Sequence, residues 1–95
     1  DGLTSSSPGW FIFEFNRESF IDSIKYRGYT GNTQFSSSNG SNSKLSYSLD
    51  GTNFEYLCNL PTFSSSNSTV KFKKVKAKFV KVENTGYVGF GYLQF

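Results

Sequence analysis

Rings and amides are interleaved along this chain in a way that suits a polyhydroxylated ligand. Arg27, Tyr29, Asn32, Gln34, Phe35 and Asn39 form one group. Phe63 and Asn67 stand at the two ends of a second copy of the segment FSSSN, and Tyr87 follows near the C-terminus. An aromatic face meets the apolar C–H face of a sugar ring, and guanidinium or amide groups bond its hydroxyls. A second reading stays open for Phe35 and Phe63. Each ring could instead pin its loop to the core rim and leave only Ser and Asn facing water.

The same inventory speaks against catalysis. There is no histidine, so the commonest general base and metal ligand is missing. A lone cysteine, Cys58, makes neither an internal disulfide nor an ordinary zinc site. It lies in phase with core residues and reads as a packed, inert thiol. The seven acids are scattered without a defensible pairing, and Asp50 belongs to a turn. The expectation is no enzyme.

Charge is uneven. Of ten cations, six lie in KFKKVKAKFVK, residues 71–81. With Phe72 and Phe79 interleaved, that run invites a polyanion or anionic-lipid reading. The structural alternative is two amphipathic strands with Lys in water and Phe inward, Lys being a common guard of sheet edges. Nucleic acid is not expected as a partner. No apolar run of 18 residues exists, so no transmembrane segment is expected. The opening DGLTSSSPG has neither a basic region nor an apolar run and does not read as a signal peptide.

These groups need a scaffold, and the sequence points to an all-β one. Aromatics make up 19% of the 95 residues, enough to form a core despite 16 serines and 8 asparagines. Short alternating runs of β-formers recur between Gly, Ser and Asn clusters. Seven strands are expected, at 10–15, 20–29, 44–49, 54–60, 69–74, 76–83 and 87–95. Phe11, Phe13 and Phe15 share one face, as do Leu45, Tyr47 and Leu49, and Phe54, Tyr56, Cys58 and Leu60. In 76–83, Ala77 with Phe79 or Val80 with Val82 can face inward, and a bulge would reconcile them. Trp10 is expected in the core.

If consecutive strands run antiparallel, connections alternate between the two ends of a sandwich. The short turns 16–19, 50–53 and 75–76 then share one end. Residues 1–9, 30–43, 61–68 and 84–87 share the other, which gathers the Ser/Asn-rich loops and the interleaved rings and amides.

The order of segments resembles the discoidin, or coagulation-factor C-type, family of the galactose-binding-like superfamily. PGWFIFEF is similar to the family's Trp-containing strand and FIDSIKYRGY to its Ile-rich second strand. LSYSLDGTNFE resembles its hairpin, with Phe54 where Trp is usual, AKFVKVEN a later strand, and GFGYLQF the closing strand. The resemblance implies an antiparallel β-sandwich, jelly-roll-like, over residues 1–95 as one domain, in a short version lacking part of the N-terminal region. It implies a non-catalytic binding module for a glycan or glycoprotein, with a protein-interaction or adhesion module, or a structural domain of a larger protein, as the alternative. Arg27 is similar in place to a ligand-binding Arg of related carbohydrate modules. The family's structural calcium would fall to Asp1 and Gln94, with Gln94 standing where a Glu is common; no other cofactor is expected. The compartment stays open, with an extracellular or cell-surface setting favoured over others.

Overall fold

A computed structural model describes residues 3–4, 9–28, 42–84 and 89–95. Six strands form one antiparallel hydrogen-bonded sheet. They are β1 (Leu3–Thr4), β2 (Gly9–Gly28), β3 (Ser43–Ser48), β4 (Glu55–Leu60), β5 (Ser68–Asn84) and β6 (Gly89–Gln94). The order across the sheet is β1-β6-β2-β5-β3-β4.

Strand length forces this sheet to fold on itself. A straight strand of 20 residues would span roughly 65 Å, whereas the molecule's longest dimension is 36 Å. Both β2 and β5 therefore bend. Their ladder is interrupted between Glu14 and Ser19 and again between Ile21 and Ser23. The first halves of the ladder, 9–14 with 79–84, continue into β3 and β4. The second halves, 19–26 with 68–77, continue into β6 and β1. The result is the expected β-sandwich of two layers. Phe11 and Phe13 of the first layer meet Phe90 of the second at 6.1 and 6.2 Å between ring centroids. Phe15 meets Phe95 edge-on at 5.5 Å.

The strands expected at 10–15 and 20–29 are thus the two halves of β2. Those at 69–74 and 76–83 are the halves of β5, and the short β1 is an addition. Residues 16–19 form a corner rather than a hairpin. There the ladder lapses and carbonyls need other partners. Lys78 meets that need, donating its ammonium to the Phe15 carbonyl while lying 3.6 Å from Glu14. The ambiguity in 76–83 resolves as a phase shift, with Ala77, Val80 and Val82 all fully buried.

Strand phase explains two corrections to the expected core. Trp10 is 57% exposed. It alternates with Phe11, Phe13 and Phe15, so when those rings face inward Trp10 and Ile12 must face water. Lys81 caps the ring, its ammonium 5.8 Å from the Trp10 centroid and 5.7 Å from Phe54. Tyr56 is also outward, because β4 slips register against β3 between Leu45 and Ser46, leaving Cys58 and Leu60 on the inner face. Leu49 lies just past β3 and is half exposed.

The sandwich has two unlike ends. The corners of β2 and β5 and the turn 50–53 share one end, where Gly51 sits against the Phe79 ring. Its φ of 78° lies in the region that favours glycine, and a Cβ there would approach that ring to 3.1 Å. The opposite end gathers Gly9 paired with Asn84, the Asn84 amide donating to Ser43, the Asn42 N–H on the Leu60 carbonyl, and Gly28 paired with Phe90. This is the division expected from alternating connections.

Candidate functional site

The loop-rich end is built outward from three buried rings. Tyr26 and Phe63 lie 4.7 Å apart, and Phe63 and Phe90 5.2 Å apart, each residue 1% exposed. The Tyr26 hydroxyl donates to the Thr62 carbonyl at 2.8 Å, which satisfies a phenol that would otherwise be buried unpaired. Burial raises the Tyr26 pKa, so this hydroxyl stays neutral.

Phe63 is therefore not a ligand-stacking ring. It is the anchor of the 61–68 connection, and the second of its two sequence readings is the right one. Beyond it the loop is held by short bonds. The Gly28 N–H donates to the Ser64 carbonyl at 2.8 Å. Ser64 and Ser66 close a small side-chain turn, in which the Ser66 N–H donates to the Ser64 hydroxyl at 3.2 Å. Such turns are the usual use of Ser in loops. Ser65, Ser66 and Asn67 are left facing water.

On this edge the structure brings Arg27 and Asn67 together and adds Tyr92. Arg27 and Tyr92 are cross-strand partners of β2 and β6, so their side chains rise from the same face. The guanidinium carbon stands 5.8 Å from the Tyr92 centroid, within cation–π range. The Arg27 guanidinium also donates to the Asn67 side-chain carbonyl at 3.5 Å. Tyr92 remains 37% exposed, and its hydroxyl donates to Gln94 Oε1. A ring, a guanidinium and an amide thus share one exposed edge above a rigid aromatic base.

Sequence reasoning missed Tyr92. A regular strand would put residues 90, 92 and 94 on one face, and Phe90 is core. The ladder slips between Arg27 and Gly28, so Phe90 turns inward while Tyr92 and Gln94 turn outward. The glycines at 89 and 91 were the one visible hint of such a bend.

Gln94, one of the two expected calcium ligands, faces outward on β6. Its amide oxygen is engaged by Tyr92, and its cross-strand partner on the same face is the cation Lys25. The other expected ligand, Asp1, lies outside the described residues, as do Tyr29, Asn32, Gln34, Phe35, Asn39 and Tyr87. Among the described residues, no three His, Cys, Asp or Glu side chains cluster as a metal would require.

Cys58 and the ion-paired members of the lysine run are held within the scaffold. Cys58 is free and half-buried, and burial pushes its thiol pKa up, away from the reactive thiolate. In the lysine run, Lys76 pairs with Glu18 at 3.2 Å, Lys78 with Glu14 at 3.6 Å and Lys81 with Glu83 at 3.7 Å. No helix is long and apolar enough to cross a membrane.

The chain resembles several solved structures. A CBM32 module of Clostridium perfringens, in complex with GalNAc-beta-1,3-galactose, aligns over 97% of this chain and 72% of its own, with 21% identity and a TM-score of 0.74. A chitosan-binding module from a chitosanase/glucanase of Paenibacillus aligns over 97% and 73%, with 16% identity and a TM-score of 0.70. A fucose binding module of Streptococcus pneumoniae aligns over 97% and 65%, with 14% identity and a TM-score of 0.70. At these identities the likeness is one of fold. No curated protein sequence matches the chain. The model of the F5/8 type C domain matches residues 2–93, nearly the whole sequence. The chain is a β-sandwich domain that belongs to the F5/8 type C family.

Proposed function

We propose that this domain is a glycan-binding module that takes its ligand at the loop-rich end. The observation that carries the reading is the edge formed by Arg27, Asn67 and Tyr92. A sugar ring laid against Tyr92 would bury its C–H face, and its hydroxyls would accept from Arg27 and bond the Asn67 amide. The fold is shared with a module whose solved structure holds GalNAc-beta-1,3-galactose and with a fucose binding module.

Gly28, Asn42, Asn84 and Gly89 border the segments 29–41 and 85–88, and all four stand at this end. Tyr29, Asn32, Gln34, Phe35, Asn39 and Tyr87 would extend the same surface in this reading. Affinity would be modest, because a ligand on a loop edge orders side chains and backbone as it binds.

Calorimetry with a panel of neutral mono- and disaccharides tests the proposal. At least one sugar should bind, and Arg27→Ala and Tyr92→Ala should each weaken it about tenfold, the scale of one lost polar or stacking contact. Absence of binding to any sugar, or unchanged affinity in both variants, would refute it.

A further inference from the structure

We propose that the opposite, short-turn end carries a second binding site, one for an acidic saccharide unit bearing a carboxylate or sulfate. A cavity of about 580 Å3 opens there between the turn 50–53 and the bend of β5. That volume is within the usual range of small-ligand clefts.

One wall is cationic by construction. Lys73, Lys74 and Lys76 all line the cavity, and all are exposed. A regular strand alternates, so Lys73 and Lys74 should face opposite sides. They do not, because the ladder slips here. Ile21 pairs with Val75 and Ser23 with Lys71, so Asp22 alone stands opposite three residues of β5. Such a bulge re-aims side chains. It turns both lysines outward while Val75 and Ala77 remain buried. Among the described residues neither Lys73 nor Lys74 has an ion-pair partner, whereas Lys76 is paired with Glu18 at 3.2 Å. Phe20, the cross-strand partner of Lys76, adds an apolar face beside the cavity rather than in its wall. It is 66% exposed, with the Lys74 and Lys76 ammoniums 5.8 and 5.9 Å from its centroid.

The other wall accepts rather than donates. Asp50 is fully engaged, taking the N–H groups of Thr52 and Asn53, the Asn53 amide and the Ser48 hydroxyl. Glu55 is exposed, and one of its oxygens takes the Tyr47 hydroxyl at 2.7 Å. Among the described residues its second oxygen has no partner, and it can accept from a ligand hydroxyl.

Cations facing a carboxylate across a cleft select a ligand of two characters. An acid group meets the lysines, and hydroxyls meet Glu55. An acidic sugar carries both, and Phe20 can take its C–H face. A bilayer or a nucleic-acid backbone presents phosphates throughout, which would bring negative charge against Glu55 and Asp50. The site is independent of Arg27 and Tyr92, which lie at the other end of the sandwich.

The test uses the intact chain, with amide chemical-shift mapping and affinities by titration. The probes are trigalacturonate, a sulfated galactose disaccharide, neutral galactotriose and phosphatidylserine vesicles. At least one acidic saccharide should perturb residues 50–55 and 73–76, and which of the two binds identifies the acid group. Lys73→Gln with Lys74→Gln should weaken it about tenfold, as two exposed charge contacts are lost, with Arg27→Ala unchanged. Glu55→Gln should weaken it as well. The proposal is overturned if neither acidic saccharide binds, if vesicles bind and saccharides do not, or if the double variant leaves affinity unchanged. It is equally overturned if Glu55→Gln strengthens binding, the mark of simple attraction to a basic surface.

Discussion

The two ends of the sandwich are held together by different physics. At the loop-rich end, Tyr26, Phe63 and Phe90 bury three rings against one another, and the Ser/Asn loop rests on that base. At the short-turn end, order comes from polar contacts. Asp50 organises its turn through five bonds, counting the one its own N–H gives back to Ser48, and Lys78 satisfies the corner of β2. The first arrangement places its anchors under the surface and leaves polar groups and one ring available above. The second spends its polar groups on shape and leaves a row of lysines. At the loop-rich end the exposed groups are free for shallow contacts, because folding does not need them; at the short-turn end that freedom is confined to the lysine row and Glu55.

That contrast breaks most readily at Phe63. Phe63→Ala should destabilise the domain by about 3–5 kcal/mol, the cost of emptying a buried aromatic site, as read from urea denaturation. A loss below about 1 kcal/mol would mean that the ring is not an anchor and that the two ends are more alike than described. At the other end Gly51→Ala should cost about 1–3 kcal/mol, from a strained φ and contact with the Phe79 ring. It should leave sugar binding at the loop-rich end unchanged. Tyr92→Ala should do the reverse, with a stability loss of at most about 1 kcal/mol, the scale of one cross-strand pair, and weakened sugar affinity.

The smallest effect is in acid. Hydrogen bonds from the Asn53 and Thr52 backbone, then from the Asn53 and Ser48 side chains, hold the Asp50 carboxyl well below the usual carboxylate range. A carboxyl whose folded pKa is depressed binds fewer protons folded than unfolded. Its stabilisation is therefore complete above the unfolded value of about 4 and is lost as pH falls through and below it. Asp50→Asn should flatten that part of the stability profile between about pH 5 and pH 2. An unchanged slope would show that the turn does not depend on the charge.

Much of this was legible in the sequence, and most of the failures are changes of strand phase. Alternation in WFIFEF, KLSYSL and the lysine run gave the strands, the inward Phe set and the two unlike ends. What alternation cannot show is a change of phase. Trp10 was placed inward on its residue type, against the alternation of its own strand. Tyr56 fell on the wrong face because the ladder slips at Leu45/Ser46, and Tyr92 went unplaced because it slips at Arg27/Gly28. The corners at 16–19 and near 75 looked like turns, since a strand that bends between layers shows the same break in pattern as a strand that ends. Phe63 had two readings by sequence, because a ring before a Ser/Asn loop can equally face a ligand or the core. Only its contacts with Tyr26 and Phe90 decide between them.

The central claim is that sugar is held at the loop-rich end by the Arg27–Asn67–Tyr92 edge. Amide chemical-shift mapping during titration with a neutral sugar that binds tests it most directly. The account predicts perturbations at Arg27, Gly28, Asn67 and Tyr92, no change at 50–53, and a midpoint moved to about tenfold higher sugar concentration in Arg27→Ala. Perturbations confined to other surfaces, or a midpoint unmoved in Arg27→Ala, would contradict it.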